Sequence, residues 1–170
     1  MATLSSPSEA KGTNLVSSPA DAPPLLGVTL GLVLGGFVAI VAYWLIWFFV
    51  DRRLLASMDT PAYYVFENAF PAADAWLALC CAMCAWTLWK RRGSALFWLL
   101  VGGSASIYLG LMDVLFDLEN GVYLAPTGDR GAVATELAIN VFSLGIGAWA
   151  LWFGWWHRRY FLARGVAAHG

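Results

Sequence analysis

The sequence predicts an all-α, polytopic membrane protein, a bundle of four transmembrane helices with both termini on the inner side. Three observations carry that expectation. Of 170 residues, 60% are hydrophobic, 12% are charged and 10 are Trp, with a mean hydropathy of +0.66; an ordinary soluble domain is about a quarter charged. Four apolar stretches, residues 25–50, 70–89, 95–118 and 132–156, are each long enough to cross a bilayer, which takes about 20 residues for roughly 30 Å of hydrocarbon. Finally, the basic residues are unequally divided. With the N-terminus inside, seven of them (Lys11, Lys90, Arg91, Arg92, Arg158, Arg159 and Arg164) fall on the inner side and only Arg52, Arg53 and Arg130 on the outer, the bias that sets topology.

Residues 1–24 are rich in Ser, Ala and Pro with no hydrophobic period, and read as a disordered inner tail. They do not read as a cleaved leader, because the apolar run that follows far exceeds the usual 7 to 15 residues. The transmembrane domain spans 25–160, and 161–170 reads as a short inner tail. Aromatic rings crowd the ends of the spans, at Trp44, Trp47, Phe48, Phe49, Phe70, Trp86, Trp89, Trp155, Trp156 and Tyr160, where headgroups accommodate amphipathic side chains. The first span carries Gly27, Gly31, Gly35 and Ala39 as a helix-packing face, with a homo-oligomer or partner helices as alternative occupants. Ala75, Ala78, Ala82 and Ala85 form a comparable stripe on the second.

The third and fourth spans carry polar stripes. Gly102, Ser106, Gly110, Asp113 and Asp117 recur at helical spacing, as do Glu136, Asn140, Ser143, Gly147, Ala150 and Gly154. Small residues let membrane helices approach and polar ones bond across the contact. In an antiparallel pair the acidic ends of these stripes meet.

Nine carboxylates fall on the outer side, leaving Glu9 and Asp21 in the tail. Asp51, Asp59 and Asp129 adjoin turn or capping residues and read as solvated. Glu67 and Glu119 lie at the membrane boundary, each followed by Asn, and Asn120-Gly121 reads as a helix stop. Asp74, Asp113, Asp117 and Glu136 lie inside their apolar segments, within roughly 10 Å of the outer boundary. Asp74 follows Pro71 by three residues, where the helix dipole favours an anion; Asp117, at the opposite end of its helix, has no such support. Four acids at one depth need partners, water or protons.

The expected site therefore comprises Asp113, Asp117, Glu136, Asn140, Asp74, Glu119, Asn120 and Glu67. All offer hard oxygen ligands, which suit calcium, magnesium, sodium or protons, with Asp113, Asp117 and Glu136 as the expected metal ligands. Other chemistries are disfavoured. Neither His157 nor His169 lies within a span, and the CxxC at Cys81–Cys84 sits mid-helix with no nearby base. No dinucleotide, P-loop or nucleophile-elbow word appears. FENAFPAADAW (66–76) resembles in part the FN-x-AD word of lipoprotein signal peptidases, but the Asn-x-x-Asp-Arg word that accompanies it there is absent, so no family is assigned.

Three functional readings follow. The first is binding or translocation of a cation, proton or cationic solute at the acidic site. The second is an accessory or assembly subunit docking partner membrane helices. The third is a membrane enzyme acting on a lipid or isoprenoid with carboxylate acid and base groups; whether the protein is an enzyme stays open at this point. The expected surroundings are the lipid bilayer, the plasma (inner) membrane in a bacterium, with no nucleic acid.

Overall fold

The computed structural model describes residues 21–124 and 130–166. The expected inner tail, apart from residues 21–24, lies outside the described residues, as do Asp129 and residues 167–170. All regular structure among the described residues is helical: α1 (Leu26–Ile46), α2 (Pro61–Glu67), α3 (Pro71–Trp89), α4 (Ala95–Glu119), α5 (Arg130–Trp156) and α6 (Arg158–Val166). Four of these helical stretches are long and apolar enough to cross a membrane.

Paired contacts fix the direction of α4 against α5. Leu99 meets Gly154, Gly103 meets Gly147, Ser106 meets Ser143, and Asp117 meets Asn140. One number rises as the other falls, so the helices are antiparallel. Ser106 and Ser143 bond reciprocally, each hydroxyl donating to the other's carbonyl at 2.8 and 3.1 Å. A Cβ on Gly103 would stand 2.9 Å from the Gly147 carbonyl, and one on Gly147 would stand 2.9 Å from the Gly103 carbonyl. Backbones this close exclude any side chain, as small-residue stripes permit. Gly102 turns instead toward Cys80 of α3.

Helix α1 packs mainly on α3 and much less on α5, closing a ring in the order α1, α3, α4, α5. Its inward face is Thr29, Val33 and Gly36. Thr29 is fully buried and accepts from the Trp149 indole at 3.1 Å, which fixes that rotation. Gly27, Gly31 and Gly35 consequently point away from the bundle, with no described residue within 4 Å of where a Cβ would sit. Among the described residues the three glycines of the expected packing face of α1 meet no helix, while its fourth member, Ala39, borders the cavity described below.

Two short helices escape the apolar-run criterion. Helix α2 starts at Pro61 behind Thr60, whose hydroxyl accepts from the Tyr63 amide, the usual cap and first-turn proline. It lies at the carboxylate end, where Phe66 stacks on Phe116 of α4 at 3.8 Å. Helix α6 includes residues 161–166 of the expected tail and buries Phe161 completely. Gly93 makes room for it: a Cβ there would stand 2.5 Å from the Phe161 carbonyl. At this end Lys90, Arg92 and Arg158 lie over the rings of Trp89, Trp86 and Trp155, each at 4.4 Å, a contact suited to cations beside apolar surface. The basic residues of this end and the carboxylates of the other are thus held at opposite poles.

Candidate functional site

A cavity of about 180 Å³ occupies the middle of the ring and is lined by α1, α3, α4, α5 and the end of α2. Most of its wall is apolar, including Val33, Leu77, Leu99 and all three cysteines. Toward the end covered by α2 the wall becomes acidic. Glu67, Asp74, Asp113 and Glu136 line it there, one carboxylate from each of α2, α3, α4 and α5.

Helix α1 contributes donors to this ring of acids. The Tyr43 hydroxyl donates to Glu67 Oε2 at 3.1 Å and the Trp44 indole to Asp74 Oδ2 at 2.9 Å. The next turn holds α2's end in place, with Trp47 donating to Asn68 Oδ1 at 3.2 Å. Among the described residues no Lys or Arg pairs with any of the four carboxylates. Among the described residues, Ser57 Oγ, Tyr63 Oη and Asn140 Oδ1 are buried at this end without a hydrogen bond of ordinary geometry. Tyr63 is 1% exposed, and its hydroxyl faces Glu67 and Glu136. Ser57 faces Tyr63 and Glu136.

Asp117 and Asn140 form a separate, adjoining cluster. The Asn140 amide donates to Asp117 Oδ2 and to the Tyr123 hydroxyl, both at 2.8 Å, and Tyr123 donates to the same Asp117 oxygen at 2.7 Å. Asp117 and Asn140 are each 1% exposed. Burial first, and then the bond to Asp117, push the Tyr123 phenol up to about 12, so it remains a donor at neutral pH. Asp113 and Asp117 part company because four residues advance a helix by about 40° beyond a full turn. The first looks into the cavity and the second toward Asn140.

Glu119 and Asn120 stand outside both groups. Both are exposed, and Asn120 turns its amide back to the Phe116 carbonyl at 2.8 Å. Gly121, at φ 67°, then ends the helix in a left-handed conformation. Of the eight expected site residues, four line the cavity, two form the adjoining triad with Tyr123, and two cap α4 at the surface. Asp113, Asp117 and Glu136 do not form one metal-ligating group; among the described residues no three His, Cys, Asp or Glu converge closely enough to hold a metal ion. Cys80, Cys81 and Cys84 are buried free thiols.

Sequence reasoning missed Tyr43, Trp44, Ser57, Tyr63 and Tyr123. The first two are indistinguishable by type from the aromatic belt at a span's end. Tyr63 offers one signal: it precedes Glu67 by four residues, and so shares its helical face. Comparison with family models, curated proteins and solved structures finds no match for this chain.

Proposed function

We propose that this chain is an integral membrane protein with both termini inside that binds or translocates a cation, proton or cationic solute through Glu67, Asp74, Asp113 and Glu136. One observation carries the reading. Carboxylates from four helices line a single cavity in an apolar bundle, without a basic partner among the described residues. A buried anion left alone is very unfavourable, so such a site attracts protons or cations. The segregation of Lys90, Arg92 and Arg158 from the acidic end supports the orientation. The membrane would be the plasma (inner) membrane in a bacterium.

The test is reconstitution in liposomes with an imposed gradient of sodium, calcium or an organic ammonium ion. Flux or saturable binding should occur with the native chain and be lost in Asp113→Asn and Glu136→Gln. Identical behaviour of native and substituted proteins would refute the reading. A second reading draws on Gly27, Gly31 and Gly35, which no described residue covers: an accessory role, docking a partner membrane helix on α1. A stoichiometric partner lost on Gly31→Leu would support it, and a single pure species in mild detergent would oppose it.

A further inference from the structure

We infer that the cavity takes an amphiphilic organic cation, its ammonium group among Glu67, Asp74, Asp113 and Glu136 and its apolar body along Leu77, Cys84 and Leu99. The inference rests on the cation-binding reading and names the class of cation. Three features of the cavity argue for it over a bare ion.

First, the cavity has two chemistries in series. Carboxylates occupy one end, while the remainder, down to Cys84 and Leu99, is mostly carbon and sulfur, and the two serines in it, Ser106 and Ser143, already spend their hydroxyls on each other's carbonyls. A hydrated inorganic cation gains nothing from that apolar length, whereas each methylene laid along it is stabilised by removal from water. Second, unsatisfied polar atoms point to a donor-bearing ligand. The hydroxyl of Tyr63, on a side chain 99% buried behind the acidic end of the cavity, makes no hydrogen bond of ordinary geometry among the described residues and faces Glu67, Ser57 and Glu136. Asn140, equally buried in the adjoining cluster and one helical turn from Glu136, leaves its carbonyl oxygen unpaired among the described residues. Unpaired buried acceptors are uncommon and ask for an explanation, and an ammonium group brings up to three N–H donors. No close metal-ligand set competes for them among the described residues.

Third, there is a route for a molecule dissolved in the bilayer. Of the lining residues only Ala39 and Phe142 are exposed, and they belong to α1 and α5. These two helices form the most sparsely packed side of the ring. Their polar tie, Trp149 to Thr29, lies toward the basic end, well away from the carboxylates. The α1–α5 seam is therefore the side on which the cavity opens, toward lipid tails, where amphiphiles concentrate.

The probes are phenethylammonium, methylammonium, sodium and neutral phenethyl alcohol, read by thermal unfolding of the full chain in nanodiscs. Phenethylammonium should raise the midpoint saturably, half-saturating at a concentration about tenfold or more below methylammonium, since burying several carbons adds more than the 1.4 kcal/mol that tenfold represents. Asp113→Asn should abolish that shift, and Ala39→Trp, which fills the seam, should slow association of phenethylammonium. If methylammonium or sodium stabilise as well as phenethylammonium, the amphiphile inference fails while cation binding stands. If phenethyl alcohol matches phenethylammonium, or no cation has any effect, both fail. Should Asp113→Asn not fold, the comparison among the four probes on the native chain decides alone.

Discussion

The closeness of α4 and α5 predicts opposite responses to the same substitution at two glycines of one helix. Gly145 and Gly147 lie two residues apart on α5. A Cβ on Gly145 meets no described residue within 4 Å, whereas one on Gly147 would stand 2.7 Å from Ile107 Cγ1 and 2.9 Å from the Gly103 carbonyl. Replacing either by Ala gains about 0.5–1 kcal/mol of helix propensity. In Gly145→Ala nothing opposes that gain. In Gly147→Ala the helices must part by some tenths of an ångström, which strains the Ser106–Ser143 bonds one turn away; overpacking of this kind costs about 1–3 kcal/mol. Because the propensity gains cancel in the comparison, Gly147→Ala should unfold more easily than Gly145→Ala by about 1–3 kcal/mol. In melting temperature the gap is about 2–12 °C for a chain of this size. Denaturant or thermal unfolding in a single detergent, followed by tryptophan fluorescence, measures it. Equal stability of the two variants would refute the close α4–α5 approach, and with it the juxtaposition of acids on which the site depends.

Further outcomes follow from the polar clusters. Asn140→Ala leaves the buried Asp117 with Tyr123 as its one remaining donor among the described residues, and should destabilise by about 1–3 kcal/mol. Tyr123→Phe should cost less, and a double-mutant cycle between the two should be non-additive because they share one oxygen of Asp117. Tyr123 also gives a pH dependence: its phenol rises from the usual 10.0 to about 12 in the folded chain. Its contribution is therefore complete below pH 10 and lost as pH rises toward 12, and the difference between native and Tyr123→Phe stability should shrink across that window. Gly93→Ala should dislodge α6, since the new methyl would collide with the Phe161 carbonyl and the Gly165 amide; faster proteolysis after Arg158 or Arg159 reports it, and unchanged cleavage would contradict the docking.

The four long helices were legible because a bilayer-length apolar run is a strong, local signal, and α4 and α5 could be paired because their small and polar residues repeat at helical spacing. The rotation of α1 was not legible. Its mean apolarity is nearly the same all round, and the choice of Thr29 over Gly31 as the inward residue depends on Trp149, which lies 120 positions away. The short helices α2 and α6 were hidden because each buries only one or two residues, Tyr63 and Glu67 in one and Phe161 in the other. For the candidate site, depth along each helix singled out Asp74, Asp113 and Glu136, all three of which line the cavity. The 40° offset between Asp113 and Asp117 lies below what a stripe of residues can express. Nor does composition separate an aromatic donor such as Tyr43 from an interfacial ring.

The most direct test of the account is the cation affinity of four single variants measured side by side: Asp74→Asn, Asp113→Asn, Glu136→Gln and, as an exposed control outside the cavity, Glu119→Gln. The first three should each weaken phenethylammonium binding about tenfold or more, as expected for losing one charge-assisted contact, with Glu119→Gln matching the native chain. Equal affinity in all four would contradict a shared site.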